Sequence, residues 1–395
     1  MAIEIGRGVY WVGVVDWALR RFHGHELSTP RGSSYNAYLI VDERVALVDT
    51  VWDPYQDELL ASIREVIDPA KIDVIVSTHA EPDHSGSLRA VLREAPQADL
   101  IVSRMGVDSL GGHYHQPWNY HVVGTGDSVS LGSRDLQFIE ARLLHWPDTM
   151  FAYLTGDDIL FSSDAFGQHY ATAYLTNDRA DPGELYEEAL RYYANILTPF
   201  GARVERKIEE LEAMGLPIAQ IAPSHGVVWR EEPQQIVRRY REWAAQTPER
   251  RAIVLYDTMW QATRRMAQAV GEGLAERGVP YKLFHMAVSD RNEVITEIFR
   301  SKAIVVGSPT LNRGLLPTIT PILEDLRGLG FQHKIGAAFG SYGWSGESTR
   351  EIEAHLERSH VTKVADGVSV KWQPTEEDLE RCRDLGRTVA DAVLA

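Results

Sequence analysis

The chain has a single cysteine, Cys382, in 395 residues. One thiol excludes an internal disulfide framework, cysteine-ligated iron–sulfur clusters and a mononuclear iron site built from four thiolates. Long apolar runs are missing too: nothing approaches the ~20 residues that a membrane span requires, so no membrane association is expected. Positive charge is scarce. Against 56 Asp+Glu there are 40 Lys+Arg, a formal charge of -16, and no basic patch offsets it, which argues against nucleic acid or anionic lipid as partners. The opening MAIEIGRGVYW has no basic flank followed by an apolar core, so no secretory signal is expected. A reducing cytoplasm fits that start and the lone thiol. Internal repeats, low-complexity segments and the dinucleotide pattern G-x-G-x-x-G are all absent.

What remains is an ordinary globular composition, 44% hydrophobic, on a length that arithmetic divides into two or three domains. The chain can bury a proper core, so a metal would serve chemistry rather than hold the fold together. From about 36 to 225 the apolar runs are short: AYLIV (37–41), VALVD (45–49), VIVST (74–78), LIVS (100–103), LQFIE (136–140), MFAYL (150–154) and PIAQIAPS (217–224). Helical patterns at 55–66 and 182–214 fall between or after them, which suggests two sheets covered by helices. After 250 the rhythm becomes strict alternation of strand and helix. AIVLY (252–256), YKLFHM (281–286), AIVVGS (303–308), KIGAAFGS (334–341) and HVTKVAD (360–366) predict a doubly wound, five-stranded parallel sheet. The polar, Pro-containing AAQTPERR marks the join, giving domains 1–249 and 250–395.

Ten of the 14 histidines precede residue 250. The strand VIVST runs into His79-Ala-Glu81-Pro-Asp83-His84-Ser-Gly86, four potential ligands within six residues. Neighbours such as Asp83 and His84 diverge on a strand, so the segment must bend, and Pro82 and Gly86 supply the bend. His145, Asp164 and His225 each follow an apolar strand in or beside a turn. Any one alone reads as a core histidine or a turn-forming aspartate; together they read as a metal site.

This order, an H-x-x-x-D-H style cluster followed by His, Asp and His at strand ends, resembles the metallo-β-lactamase superfamily over about residues 30–250. The resemblance implies an αββα sandwich with a dinuclear metal centre. Glu81 stands where the hydrolytic members have a second His. Carboxylates are harder ligands than imidazole and suit iron or manganese better than zinc. Glu81, Asp83 and Asp164 set three negative charges against four positive on two ferrous ions, which avoids burying a large net charge. A non-haem diiron site is therefore expected, with Asp164 offering one oxygen to each metal. His79, Glu81 and His145 would complete one iron; Asp83, His84 and His225 the other.

In the C-terminal half, Thr258-Met259-Trp260-Gln261-Ala262-Thr263 follows the first strand and opens a helix. Without dinucleotide glycines, its hydroxyls and amides suit a monophosphate. Pro309-Thr310-Leu311-Asn312-Arg313-Gly314 and Ser341-Tyr342-Gly343-Trp344-Ser345-Gly346 follow the third and fourth strands, beside the switch point where such sheets hold a ligand. Aromatic residues among glycine-rich turns suit an isoalloxazine ring. FMN is the expected ligand.

The second half resembles flavodoxin, and the two halves together resemble the flavodiiron proteins, or A-type flavoproteins, across nearly the whole chain. The seven candidate ligands fill every iron position of that family. With no Cys-rich extension, the chain resembles its minimal two-domain class. The resemblance implies reduction of dioxygen to water, of nitric oxide to nitrous oxide, or both; a separate, rubredoxin-like electron donor; and a head-to-tail homodimer or dimer of dimers that sets the FMN of one subunit beside the irons of the other. His23 and His25 are candidates to line the gas pocket or supply protons, His25 first. Trp146 is a candidate gate and His169 a candidate hydrogen-bonding neighbour, whereas His113, His115 and His121 read as surface or loop residues. Two rival readings are a dinuclear zinc hydrolase and a flavodoxin-like electron carrier without gas chemistry.

Overall fold

The computed structural model describes residues 1–395 and divides them into two compact units, Met1–Tyr192 with Ala202–Ala244, and Tyr193–Gly201 with Ala245–Ala395. In the first unit a seven-stranded sheet runs in the order Ile3–Gly6, Val9–Trp11, Tyr38–Ile40, Val45–Val48, Ile72–Ser77, Asp99–Ser103, Tyr120–Val123. A five-stranded sheet runs Ser128–Ser130, Asp135–Glu140, Met150–Leu154, Ile159–Phe161, Gln220–Ala222. Their facing side chains, among them Tyr38, Ile40, Val48 and Val76 from one and Phe138, Ala152, Leu154 and Phe161 from the other, form one buried core. Strand Val45–Val48 is buried at every position, because a helix-covered sheet hides both faces and its strands read as continuous apolar runs. Helix Gln56–Arg64 buries Leu59, Leu60 and Ile63. The helical pattern expected over 182–214 is interrupted: helix Pro182–Tyr192 ends in a widened turn at Tyr193–Leu197, Pro199 occupies a short tight helix, and Gly201–Met214 starts afresh.

In the second unit the strands order as Tyr281–His285, Glu249–Tyr256, Ser301–Gly307, Ile335–Tyr342, all parallel. The chain passes from Glu249–Tyr256 to one side, then returns to the other, so the switch point lies between Glu249–Tyr256 and Ser301–Gly307. The fifth strand is split. Thr362–Lys363 pairs with Ile335 and Gly336, and Val368–Lys371 with Phe339 through Tyr342. Helices Ala262–Glu276 and Glu376–Leu394 contribute Met266, Val270, Leu274, Cys382, Leu385 and Val389 to the core on one face. Thr375 and Asp378 cap the last helix reciprocally, each side chain holding the other's amide. No helix is long and apolar enough to cross a membrane.

Candidate metal centre and flavin site

Strand Ile72–Ser77 ends just before His79, and the bend after it is a single helical turn, Pro82–Ser85, with Glu81 at its start. Helical spacing lets the successive Asp83 and His84 approach one centre, which a strand would forbid. Amides of His84 and Ser85 both donate to the Glu81 carbonyl, at 2.9 and 3.0 Å. Gly86 is required by proximity: a Cβ there would meet the Pro82 carbonyl oxygen at 2.5 Å and the Asp53 nitrogen at 2.7 Å. Asp164 and His225 follow the paired parallel strands Ile159–Phe161 and Gln220–Ala222, and the Ser224 amide joins their loops by donating to the Ser163 carbonyl at 2.8 Å. His145 stands in the loop between Asp135–Glu140 and Met150–Leu154, beside Leu143 N–H bonded to the Trp146 carbonyl at 2.7 Å.

The two oxygens of Asp164 divide the cluster. Its Oδ2 lies 3.5 Å from His79 Nε2 and 3.4 Å from His145 Nε2, and both rings also face Glu81 Oε2, at 3.1 and 3.4 Å. Its Oδ1 lies 3.1 Å from His84 Nε2 and 3.4 Å from His225 Nε2; these rings face Asp83 Oδ2 at 3.4 and 3.1 Å. All seven candidate ligands therefore gather, three on each side of one carboxylate.

Six of the seven are buried, and His145 is nearly so. Despite the short separations, both oxygens of Asp83, Nε2 of His84 and Oδ2 of Asp164 are buried with no hydrogen-bond partner. Polar atoms that close, that buried and that poorly aligned with one another are arranged to face common points between them, as metal ligands do. Nitrogen and carboxylate oxygen, without sulfur, suit iron. Burial would lower each imidazole, but the carboxylates override it: Asp164 and Glu81 raise His145 to about 9, and Asp164 and Asp83 raise His225 to about 10. Burial likewise works against the Asp164 and Glu81 carboxylates, yet the surrounding imidazoles hold both well below the ordinary carboxylate range. So strong a pull toward positive charge is what two cations would satisfy.

Outer partners fix the rings. His225 Nδ1 donates to the Ser34 carbonyl at 2.7 Å, which leaves Nε2 as the lone-pair nitrogen. Asp148 does the same for His79. Asp49 accepts both the amide and hydroxyl of Thr78, at 2.7 and 2.5 Å, and burial pushes its carboxyl up to about 6. The loop histidine that reaches the cluster is His23, whose Nε2 lies 2.7 Å from Glu81 Oε1; His25, ranked ahead of it from sequence, is exposed and outside the cluster. Their separation of two residues carried no signal to choose between them. Trp146 sets its ring edge-on to His79, centroids 5.0 Å apart, and its outer face stacks on His113 at 5.9 Å. His169 shares a hydrogen bond with Ser33 Oγ at 2.9 Å and lies 5.0 Å, ring to ring, from both His225 and Tyr192. His115 and His121 are exposed.

At the switch point of the second unit is a cavity of about 700 Å³ lined by Met259, Trp260, Ala262, Pro309, Thr310, Leu311, Asn312, Arg313, Ser341, Tyr342, Gly343, Trp344, Ser345, Trp372 and Gln373, ample for a mononucleotide. Thr258 Oγ1 is buried without a partner, at the loop leading to helix Ala262–Glu276, where an anion is favoured. Thr263 and Ser341 hydroxyls bond each other at 2.9 Å. Gln261 precedes the helix with positive φ, Gly314 closes its turn on the Leu311 carbonyl at 2.8 Å, and the Gly346 amide donates to Glu347; these three, with Thr258 and Thr263, support the lining rather than form it. Trp344 is 87% exposed and Trp372 61%, large apolar rings that a planar ligand would cover. Trp372 and Gln373 were not legible from sequence, since the strand Val368–Lys371 that delivers them was not. Gln373 Nε2 donates to the Trp260 carbonyl at 2.9 Å, tying the segment after that strand to the Thr258–Thr263 loop.

The ODP family beta lactamase model matches residues 34–226 and the Flavodoxin model residues 254–386. A nitric oxide reductase of Moorella thermoacetica is 47% identical over 390 residues, 98% of each chain. The chain belongs to the flavodiiron protein family. The anaerobic nitric oxide reductase flavorubredoxin of Escherichia coli is 45% identical over 394 residues, 99% of this chain and 82% of that one. The solved rubredoxin oxygen:oxidoreductase from Desulfovibrio gigas superposes with a TM-score of 0.98 at 38% identity, covering 100% of this chain and 99% of that one. As a flavodiiron protein it is an oxidoreductase, and its cofactors are FMN and a pair of non-haem irons.

Proposed function

We propose that this chain reduces nitric oxide to nitrous oxide, with electrons passed from FMN to the iron pair. The observation that carries the reading is the division of the buried cluster by Asp164, with three nitrogen or carboxylate donors on each side and Glu81 among them. The names of the Moorella and Escherichia relatives support the substrate. Two molecules of nitric oxide, two electrons and two protons give one nitrous oxide and one water. When bound, the irons bind the gas and the flavin supplies the electrons. His79, Glu81 and His145 would hold one iron and Asp83, His84 and His225 the other, with one oxygen of Asp164 facing each set. His23 orients Glu81, and the Trp146 ring packs edge-on against both His79 and His145. Thr258 to Thr263 would hold the FMN phosphate, and 309–313, 341–345 and Trp372 would line the space for its ring, with Gly314 and Gly346 closing the turns behind them.

Reduction of dioxygen to water is the second reading, supported by the likeness to the Desulfovibrio oxygen:oxidoreductase. It needs four electrons, the number stored by a reduced flavin and two ferrous ions. A separate rubredoxin-like protein in the cytoplasm serves as donor. A head-to-tail pair of chains, alone or as a dimer of dimers, sets the FMN of one beside the irons of the other; a two-fold arrangement builds two such sites at once. The functional domains meet at 249/250.

The test is to reduce the purified protein fully under anaerobic conditions, expose it separately to each gas, and measure turnover and product. Nitrous oxide formed in stoichiometry with the electrons consumed supports the proposal. Nitric oxide left unreduced, with two zinc ions per chain and hydrolytic activity on thioesters or phosphodiesters, contradicts it.

A further inference from the structure

Tyr35, Tyr55 and Trp52 lead from the metal cluster toward solvent. Tyr35 is 1% exposed; its ring centroid is 6.2 Å from that of His225 and 5.5 Å from that of Tyr55. Trp52 lies 6.3 Å from Tyr55 and 6.2 Å from Tyr35 and is 38% exposed. Each ring is within one side chain's reach of the next, with no saturated residue needed to bridge them.

The hydroxyls differ in a way that packing does not explain. Tyr55 donates to Oδ2 of Asp16 at 2.6 Å. That aspartate is buried and held by the amides of Ala18 and Leu19, at 3.0 and 2.9 Å on Oδ1. Burying a carboxylate is costly, and phenylalanine would fill the space without it. Tyr35, by contrast, has a buried hydroxyl with no partner. Oxidising a phenol makes its proton strongly acidic, so a tyrosine with a fixed carboxylate acceptor gives up an electron far more readily than one without. Tyr55 has such an acceptor and Tyr35 has none.

We propose that Tyr55, with Asp16 as its proton acceptor, donates an electron through Tyr35 to the iron pair when dioxygen arrives without reduced flavin, and that Trp52 then carries the oxidising equivalent to the surface. This rests on the diiron reading above. Two ferrous ions supply two of the four electrons that turn dioxygen, with four protons from solvent, into two waters; Tyr55 supplies the third and, once restored, the fourth. Its ring loses one electron, its O–H bond breaks, and the proton forms an O–H bond on Asp16 Oδ2, leaving a neutral tyrosyl. An electron from Trp52, with the proton returned by Asp16, restores Tyr55. Each exposed indole radical cation is then reduced by a soluble thiol, which releases its proton, and the two thiyl products join as a disulfide.

The experiment uses the full-length chain loaded with two ferrous ions and stripped of FMN, mixed with dioxygen and freeze-quenched for electron paramagnetic resonance, with iron oxidation followed optically in parallel. The wild type is expected to give an organic radical whose hyperfine splitting narrows when tyrosine is ring-deuterated. Tyr55→Phe and Asp16→Asn should lose that signal while oxidising their iron, and Trp52→Phe should prolong it. Mass spectrometry after repeated exposure should find oxygen added to Trp52 in the wild type and not in Tyr55→Phe. Iron oxidation with no radical, or equal radical yield in the wild type, Tyr55→Phe and Asp16→Asn, overturns the relay alone. Iron that stays ferrous under dioxygen overturns the relay and the dioxygen reading together, and leaves the nitric oxide reading to its own test.

Discussion

Asp148 stands behind His79: its Oδ2 lies 3.4 Å from the imidazole Nδ1 and accepts the Ala80 amide at 2.6 Å. A carboxylate so placed keeps the ring proton on Nδ1, turns Nε2 toward Asp164 and Glu81, and makes the imidazole a better ligand. Asparagine at 148 can still set one oxygen against both donors, but without the negative charge that makes the imidazole a stronger ligand. Asp148→Asn is expected to weaken iron binding by about 10–100-fold, the range typical of such partners, without changing FMN content. Competition with a graded series of chelators measures it.

His23 and His25 provide an internal control in one loop. Only His23 touches the cluster, through Glu81 Oε1 at 2.7 Å. His23→Ala is expected to lower iron affinity at least about tenfold, and His25→Ala to leave it unchanged. Equal effects would mean that the loop, rather than the contact, matters.

Glu81→His restores the residue type that suits zinc and removes one of the three carboxylates. The variant should be isolated with zinc in place of iron from medium containing both, as read by elemental analysis, and should lose gas reduction.

Much of this was legible in the sequence because the chemistry sits at strand ends. Apolar runs announce the strands, and a His or Asp just beyond each run announces the site; His79, Asp164 and His225 all follow that rule. Asp148 escaped it. Three residues beyond His145 in a Pro-containing loop, it reads as a turn former, and only its 3.4 Å approach to His79 reveals its role. The second half of the split fifth strand escaped for another reason: Thr362–Lys363 falls within the expected 360–366, but Val368–Lys371 is short, lies beyond it, and pairs with Ile335–Tyr342 by a long-range choice that local pattern does not encode. Trp372 was lost with it.

Trp372 therefore has its own test. Its backbone amide donates to the Tyr342 carbonyl at 2.7 Å, setting the indole at the mouth of the flavin cavity. Trp372→Ala is expected to weaken FMN binding by about 1 kcal/mol, roughly fivefold in Kd, with iron content unaltered. Fluorescence titration of the flavin-free protein with FMN measures the change.

Lys334 makes the stability of the second unit depend on pH. Its ammonium donates to the carbonyls of Phe299 and Ser301 at 2.7 and 2.8 Å, and burial holds it down to about 7. An unfolded lysine titrates near ~10.4, so between these values the unfolded chain binds more protons and stability rises with pH. The gain is complete above the unfolded value and is lost as pH falls through about 7; at about 1.36 kcal/mol per unit it totals on the order of 5 kcal/mol. Urea unfolding of the wild type and Lys334→Met from neutral to alkaline pH should find the wild type gaining on the variant; a constant difference would contradict this.

Whether the buried cluster around Asp164 holds two coupled irons decides the rest. Mössbauer spectroscopy of protein grown on isotopically enriched iron tests it most directly, alongside elemental analysis. Two irons per chain with the spectrum of an exchange-coupled pair are expected, with loss of that spectrum in Asp164→Ala while FMN stays bound. Two zinc ions, or isolated uncoupled iron that survives Asp164→Ala, would contradict it.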